Sequence, residues 1–344
     1  MRNHIGKMCE LFGLSCNRPV GVGFTWRGFL AGGSRHRDGW GVGFYPDGFS
    51  ACVIKEPTPS TESPFAQFLK SANIIRSKIV ISHVRTASKG AVTYRNTHPF
   101  IRELFGREWV FAHNGTIIRE MPKPRFYHPI GETDSEAAFC LVLDRLRELG
   151  REAQLEEKAK IIEDEARKFS ELSNIFNFLM SDGEHLYAFR SNRGRLYYTI
   201  RTPPHSSVLK LADEDFEVDL SDLKGENEVA TIVATRELTV GETWISLPAE
   251  KLTIFKDGLP YLTKEELSIL TYIRKSPHRV STKDISNTLG RETSEIIDSV
   301  IRLKEMGLLH QDSRDTVPPN NPDATFYTNP NTRRAIDWLL DHQL

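Results

Sequence analysis

The sequence predicts a mixed α+β fold in which β-sheets have helices packed on their outer faces, followed by a smaller, mostly helical C-terminal segment. Residues 8–258 contain several short runs of β-branched and aromatic residues, a pattern typical of strands. Two longer stretches with apolar residues at helical spacing lie between these runs. Because several strands come after the helices, the order differs from simple βαβ alternation and suits sheets covered by helices.

Five runs are the predicted strands, and Gly, Asn or Pro follows several of them. They are Lys78–Val84, Glu108–His113, Leu186–Phe189, Arg195–Ile200 and Val229–Thr235. A first helix is expected after Thr133, because Thr133 followed three residues later by Glu136 forms a capping-box pattern before the apolar run Ala137–Leu149. A second, charge-rich helix is expected over Arg151–Leu172, where apolar residues recur at helical spacing.

The sequence changes character after Gly258-Leu259-Pro260. The segment that follows contains four predicted helices and one short strand-like run within a polar stretch. The helices are Lys264–Lys275, Thr282–Leu289, Thr293–Met306 and Thr332–Leu340, and the short run is Thr325–Thr328. We therefore expect two domains, at residues 8–258 and 262–344.

Composition and charge limit the classes of protein to which the chain can belong. The chain has 39% hydrophobic and 26% charged residues, which is ordinary for a globular protein. Its net charge of −1 gives no overall electrostatic attraction to nucleic acid or lipid. No apolar run approaches the roughly 18 residues of a membrane helix, and residues 1–8 lack the apolar region of a signal peptide. None of the four cysteines forms a CxxC pair, so we expect reduced thiols, a cytoplasmic location, and neither a metal nor a cofactor.

Cys9 is the first candidate catalytic residue, because it directly follows Met8. Removal of a Met before a small residue leaves a free α-amino group beside the thiol. That amine has a pKa of about 7.7–8.0 and can act as a general base, so nucleophile and base belong to one residue. A buried, inert cysteine is the commoner fate of this residue type, and the Met-Cys pair alone does not decide between the two.

Three polar residues are candidates for a clamp on an amino acid headgroup. Arg85 follows a predicted strand and offers a planar cation suited to an α-carboxylate, and Ser88 adds a hydroxyl. Asp134 can pair with an α-ammonium. Each also has a plainer interpretation, because Arg85 and Ser88 can lie on a solvated loop and Asp134 can serve helix capping alone.

Two glycine-containing segments are candidates for close backbone approach. Asn114-Gly115 follows a predicted strand and can form an oxyanion hole, with the Asn114 side-chain amide and the Gly115 N–H facing the negative charge. An Asn-Gly pair more often forms an ordinary turn. The run Asp38–Tyr45 has three glycines, which permit close approach but also suit a plain hairpin.

The order of these segments is more specific than any one of them. The runs CELFG from Cys9, DGWGVGFY from Asp38, HVRTASKG from His83, NTHPF from Asn96, HNGT from His113 and ETDSE from Glu132 resemble the class II glutamine amidotransferases, which are N-terminal nucleophile hydrolases. The resemblance covers about residues 8–258. It is closest to the stand-alone glutaminase-like members, which lack a fused synthase.

The resemblance implies a four-layer αββα sandwich and assigns the chemistry to three residues. Cys9 is then the nucleophile with its α-amine as the base, and Asn114 and Gly115 form the oxyanion hole. The implied substrate is glutamine or a γ-glutamyl compound. Residues 1–7 precede Met8 and would block the amine, so we expect either translation from Met8 or removal of the segment.

The resemblance also implies that Arg85 and Ser88 hold the α-carboxylate of the substrate. It implies that Asp134, with the Gly115 carbonyl, holds the α-amino group. Two positions depart from the family pattern. Many members have Trp and His where this sequence has Thr86 and Lys89. These departures affect the expected fit of the loop over the substrate more than the chemistry.

Residues 262–344 resemble a winged-helix domain, with a helix-turn-helix over residues 282–306 and a wing over residues 312–328. DNA binding is the most specific expectation for such a domain, but the charge argues against it. The segment from Leu262 onward has eleven Lys or Arg and twelve Asp or Glu, whereas a duplex binder needs a basic surface. We expect contact with a protein, homo-oligomerisation or allosteric control ahead of nucleic-acid binding.

The leading functional prediction is a glutamine amidotransferase or glutaminase that releases ammonia through a glutamyl thioester. The sequence shows no sugar-isomerase, phosphoribosyl, ATP-grasp or P-loop signature, so the ammonia goes to an acceptor protein or is simply released. Two alternatives stay open: a γ-glutamyl amide hydrolase, and a glutamine-sensing regulator that acts through the winged helix. Because every candidate position has a suitable residue type, the sequence favours an enzyme over a degenerate sensor.

Overall fold

The computed structural model describes residues 9–31, 36–72, 74–205, 208–311 and 317–343, and within these ranges it has nineteen strands and nine helices. The strands are β1 (Glu10–Gly21), β2 (Trp40–Phe44), β3 (Cys52–Glu56), β4 (Arg76–Val84), β5 (Phe100–Leu104), β6 (Arg107–Ile117), β7 (Ser173–Ser181), β8 (Leu186–Arg190), β9 (Tyr197–Arg201), β10 (Val208–Leu211), β11 (Glu217–Asp219), β12 (Ala230–Ala234), β13 (Thr239–Val240), β14 (Ile245–Ser246), β15 (Leu252–Lys256), β16 (Leu259–Pro260), β17 (Val280–Ser281), β18 (Leu309–Gln311) and β19 (Thr325–Thr328). The helices are α1 (Gly23–Ala31), α2 (Pro64–Ala72), α3 (Asp134–Leu149), α4 (Leu155–Glu171), α5 (Leu220–Leu223), α6 (Lys264–Lys275), α7 (Thr282–Leu289), α8 (Thr293–Glu305) and α9 (Arg333–Gln343). None of the helices in these ranges combines the length and the apolar character needed to cross a bilayer.

Two sheets make up most of the part that precedes α6. Sheet I has seven strands in the order β14-β9-β12-β1-β4-β2-β3, and sheet II has six in the order β16-β15-β8-β7-β6-β5. β1 lies in the middle of sheet I and pairs antiparallel with β4, with Glu10 opposite Val84. In sheet II, β6 pairs antiparallel with β7, with Asn114 opposite Asn177.

Apolar side chains on both faces of each sheet explain how the layers pack. Successive residues of a strand point to opposite faces, and β1 uses both. Leu11 packs into a cluster that it shares with Leu179 and other side chains of sheet II, whereas Phe12 packs in a cluster with Trp26 of α1. The outer face of sheet II packs against α3 and α4 through a third cluster, which includes Phe111, Phe139, Leu143, Ile162, Phe169 and Phe176.

The C-terminal segment has its own core and is joined to sheet I. Helices α6–α9 pack with a three-stranded sheet in the order β17-β19-β18. Val229 of the preceding part lies in the same apolar cluster, and the Tyr198 hydroxyl of β9 donates to the Met306 carbonyl. Residues 312–316 of the expected wing lie outside the described part.

The predicted strands and helices are confirmed with small shifts at their ends. The five predicted strands correspond to β4, β6, β8, β9 and β12. The helices predicted from Lys264, Thr282 and Thr293 begin at those residues. In the first two, the side chain of the residue before the helix accepts a hydrogen bond from a backbone N–H of the first turn. The last helix covers Arg333–Gln343 instead of Thr332–Leu340.

The capping box expected at the start of α3 is wrong in one half. Thr133 accepts a hydrogen bond from the Glu136 N–H, as predicted. The Glu136 carboxylate, however, accepts from the N–H groups of Ile130 and Gly131 and pairs with Arg102. Because Glu136 is 1% exposed, these bonds fix the loop that precedes α3.

Candidate active site

The predicted site residues lie together where β1 begins and where β4 and β6 end. They are Cys9, directly before β1; Arg85 and Ser88, after β4; Asn114 and Gly115, near the end of β6; and Asp134, the first residue of α3. Because Glu10 lies opposite Val84 in the antiparallel pairing of β1 with β4, Cys9 comes beside the loop that follows β4.

The Cys9 thiol is held by the backbone of that loop. Its Sγ lies 3.2 Å from both the nitrogen and the oxygen of Thr86, so it can accept from the N–H or donate to the carbonyl. Burial raises the pKa of the Cys9 thiol to about 11, although the Thr86 backbone and the Arg85 charge oppose the shift. The thiol is therefore neutral at physiological pH, and attack by its sulfur needs a base.

The Asn114 side chain is fixed at both ends of its amide. Its Nδ2 donates to the Cys9 carbonyl, and its Oδ1 accepts from Asn177 Nδ2 at 2.9 Å. The Ser191 N–H in turn donates to Asn177 Oδ1 at 3.1 Å. Because Oδ1 of Asn114 is bonded to Asn177, the NH₂ group faces Cys9, and of its two N–H donors the Cys9 carbonyl uses one.

Gly115 has a backbone conformation that excludes a side chain. Its φ is +139°, and a Cβ atom would lie 1.8 Å from the carbonyl oxygen of Ile175. The register between β6 and β7 shifts between Gly115 and Ile117, which is the position of a β-bulge. The interpretation of Asn114-Gly115 as an ordinary turn is therefore wrong, because both residues belong to β6.

Asp134 and Ser88 are tied to the end of β6. The Asp134 carboxylate accepts from the Ile117 N–H at 2.6 Å. The Ser88 hydroxyl is 2.7 Å from the Thr116 hydroxyl. Lys89 Nζ donates to the Ile117 carbonyl and lies 4.0 Å from Asp134 Oδ2. The loop after β4 and the start of α3 therefore meet at Thr116 and Ile117 of β6.

Arg85 is buried inside the loop that it begins, with only 2% of its surface exposed. Its guanidinium donates to the carbonyls of residues 89–91 at 3.1–3.3 Å. Burial lowers the pKa of Arg85, while Cys9 and Asp38 act in the opposite direction. Arg85 thus does not lie on a solvated loop, whereas Ser88 is exposed.

Comparison with known proteins decides the family. The sequence model of the family described as class-II glutamine amidotransferases matches residues 8–279, which are most of the chain. The chain belongs to the class II glutamine amidotransferases. The motifs from Cys9 to Glu136 all lie within the matched residues.

Two relatives and one solved structure are similar to this amidotransferase. The Escherichia coli K12 protein named "Putative glutamine amidotransferase YafJ" is 39% identical over 247 residues, which are 69% of this chain and 93% of the relative. A Methanocaldococcus jannaschii protein named only as uncharacterized is 40% identical over 97% of this chain and 96% of its own length. The crystal structure of a "predicted glutamine amidotransferase" from Pseudomonas aeruginosa has a TM-score of 0.57 and 33% identity, and the match covers 74% of this chain and 100% of that one.

A polar chain behind Cys9 of the amidotransferase was not predicted from the sequence. His36 Nδ1 is 2.8 Å from Thr86 Oγ1, and His36 Nε2 is 3.1 Å from Glu10 Oε1. Arg236 Nε donates to Glu10 Oε2 at 3.0 Å. Burial raises the pKa of Glu10, but His36 and Arg236 outweigh it and hold that pKa below its usual value. The Thr86 side chain thus contacts His36, while the Thr86 backbone contacts Cys9.

Asn177 was also missed, although the sequence contains a signal for it. It is a single polar residue within the apolar run Ile175–Leu179, and such a residue in a buried strand needs a polar partner. That partner is Asn114. Gly194 passes so close that a Cβ there would lie 1.9 Å from Asn177 Oδ1, so the backbone near Gly194 fixes the position of Asn177.

Three buried histidines, His83, His98 and His113, lie in the same part of the molecule. The rings of His83 and His98 are 4.3 Å apart, and His113 Nδ1 is 2.9 Å from Ser135 Oγ. Burial lowers the pKa of all three, and that of His113 falls to about 4. They are therefore neutral at physiological pH. Among the described residues, no three His, Cys, Asp or Glu side chains form a group that could hold a metal ion.

Proposed function

We propose that the protein is a glutaminase in which Cys9, once it is the N-terminal residue, attacks the side-chain amide of glutamine or another γ-glutamyl compound. The main support is that Cys9 is held at two atoms, its Sγ by the Thr86 backbone and its carbonyl by the Asn114 amide. The Asn114 NH₂ group is therefore held beside Cys9, the residue that carries the thiol. An inert core cysteine needs neither contact.

In the proposed mechanism, the free α-amine of Cys9 takes the thiol proton while the sulfur attacks the amide carbon. The electron pair of the C=O double bond moves to the oxygen, where Asn114 Nδ2 and the Gly115 N–H stabilise it. The Cys9 ammonium then gives its proton to the leaving nitrogen, the C–N bond breaks, and ammonia and a γ-glutamyl thioester form. Water, deprotonated by the same amine, attacks the thioester and releases glutamate and the thiol.

The proposed substrate contacts form a clamp of opposite charges. Arg85 and Ser88 take the α-carboxylate, and Asp134 takes the α-ammonium. Arg85 and the side chain of Asp134 are 2% and 8% exposed, and partial burial strengthens both interactions relative to exposed ion pairs. A zwitterionic amino acid headgroup satisfies both charges at once, which favours a γ-glutamyl substrate over an unrelated amide.

We further infer the organisation around this site. Sheets I and II, which share an apolar core and carry helices on their other faces, are proposed to form a four-layer αββα sandwich over residues 8–258. Residues 262–344 are proposed to form a winged-helix-like domain that contacts protein, because their charges nearly balance. The ammonia is then either released or passed to an acceptor protein.

Two substitutions and the mass of the native N-terminus test the proposal. The active chain is expected to begin at Cys9. Cys9→Ala is expected to abolish ammonia release from glutamine, and Asn114→Ala to lower kcat by about 10²–10³-fold. Cys52→Ala is the matched control, because Cys52 is a half-buried thiol on β3, away from the contacts described above, and it should retain wild-type turnover. Substantial turnover by Cys9→Ala, or full activity of a chain that retains Met1, contradicts the mechanism.

A further inference from the structure

Lys89 places a positive charge at the carboxylate that the proposed function assigns to the substrate. Its Nζ lies 4.0 Å from Asp134 Oδ2 and donates to the Ile117 carbonyl. The Lys89 side chain is 43% exposed, whereas that of Asp134 is 8% exposed. The half-exposed Lys89 ammonium therefore lies near a largely buried carboxylate at the end of β6.

The other two hydrogen bonds to the Asp134 carboxylate come from neutral backbone N–H groups. Oδ2 accepts from the Ile117 N–H at 2.6 Å, and Oδ1 accepts from the Ser135 N–H at 3.0 Å. These two neutral donors fix the orientation of the carboxylate without cancelling its charge. A substrate ammonium that binds Asp134 therefore enters the region that the Lys89 ammonium already neutralises.

The backbone of Lys89 is linked to the other half of the clamp. Arg85 Nη2 donates to the Lys89 carbonyl at 3.1 Å. The same residue thus contacts the Arg85 guanidinium with its backbone and faces Asp134 with its side chain.

We propose that Lys89 is a specificity-determining residue that competes with the α-ammonium of the substrate for Asp134. The inference rests on the proposed function, because it requires a γ-glutamyl substrate in this site. Lys89 weakens the binding of free glutamine, whose ammonium must displace it. Lys89 does not weaken the binding of a γ-glutamyl compound that keeps the α-carboxylate but has no α-ammonium. Through its positive charge, it favours the binding of such a compound.

The test compares two ligands that differ only in the α-amino group. Glutamine and 4-carbamoylbutanoate, which is glutamine without that group, are titrated calorimetrically into the Cys9→Ala protein processed to begin at residue 9. The same titrations are repeated after adding Lys89→Met, Lys89→Arg or Lys275→Met. Lys275 is an exposed lysine in the last turn of α6, so its substitution controls for the loss of one positive charge.

Lys89→Met is expected to tighten glutamine binding by roughly 3- to 20-fold, a larger effect than an exposed ion pair gives because Asp134 is buried. Binding of 4-carbamoylbutanoate should stay the same or weaken. Lys89→Arg and Lys275→Met should keep the wild-type ratio of the two dissociation constants. In the Cys9 enzyme, Lys89→Met should lower KM for glutamine and leave kcat within about twofold.

The outcomes separate this inference from the proposed function. If glutamine binds but Lys89→Met leaves the ratio of the two dissociation constants unchanged, or weakens glutamine selectively, the competition by Lys89 is wrong and the glutaminase proposal stands. If glutamine binds neither the parent nor the Lys89→Met protein, the proposed substrate is wrong, and the role of Lys89 is overturned with it.

Discussion

The two ionisable groups that Cys9 would have as an N-terminal residue, its thiol and its α-amine, differ in pKa. Burial raises the pKa of the thiol to about 11, so almost no thiolate is present at pH 7. The α-amine of an N-terminal residue has a pKa of about 7.7–8.0, so a part of it is neutral and available as a base at physiological pH. The proposed mechanism therefore depends on proton transfer within one residue more than on a preformed thiolate.

This difference predicts the pH dependence of the reaction. Because the amine must be deprotonated to act as the base, kcat/KM for glutamine should rise about tenfold per pH unit below pH 7 and level off above about pH 8. A mechanism that needs the thiolate would instead keep rising toward pH 11. Initial rates of ammonia release from pH 5.5 to 10 distinguish the two, and circular dichroism at each pH checks that the protein remains folded. A rise that continues beyond pH 9 contradicts the amine as base.

At the same scale, the sequence predicted the position of the six candidate residues better than that of the residues that orient them, and the roles of the six stay predictions. The six candidates lie in motifs whose residue types suit the chemistry, and they converge as expected. Asn177 and His36 were missed because they reach Asn114 and Thr86 only through strand pairing and chain packing over 63 and 50 residues. Local patterns do not specify such contacts.

The end of β6 shows how one element fixes several contacts at once. Gly115→Ala should destabilise the protein by at least about 3 kcal/mol or prevent folding, because the new Cβ would collide with the Ile175 carbonyl. Gly150→Ala is the control: Gly150 also has a positive φ, +101°, but nothing lies within 4 Å of a Cβ there. Its cost should be only the backbone strain, about 1–2 kcal/mol. Urea unfolding gives both values, and similar losses would show that the contact with Ile175 is unimportant.

Among the elements, helices with capping residues and strands with a continuous apolar run were predictable. The starts of α6 and α7 follow from local hydrogen bonds that any chain with the same residues can form. β1 was not predicted as a strand, because Gly13, Ser15 and Asn17 interrupt its apolar pattern. Ser15 and Gly13 are acceptable there because β4 and β12 pair with both edges, and this pairing is a property of the assembled sheet.

On the scale of the whole molecule, the C-terminal segment is attached to sheet I through Tyr198. Tyr198→Phe removes the donor to the Met306 carbonyl and should cost about 1–2 kcal/mol, mainly by loosening the C-terminal segment. Tyr45→Phe is the matched control, since the buried Tyr45 hydroxyl donates to the Ser181 carbonyl at 2.8 Å within the sheets. Limited proteolysis between β16 and α6 should accelerate in Tyr198→Phe only. Equal acceleration in both variants would show that the Tyr198 contact does not hold the segment in place.

Chain ends usually fray, yet Cys9 directly precedes a strand that is hydrogen-bonded along both edges. We therefore expect Cys9, the proposed nucleophile, to share the high opening free energy of the centre of sheet I, instead of the low opening free energy of a free terminus. If Cys9 is the nucleophile, the lifetime of the proposed catalytic geometry is therefore expected to follow the lifetime of the folded core.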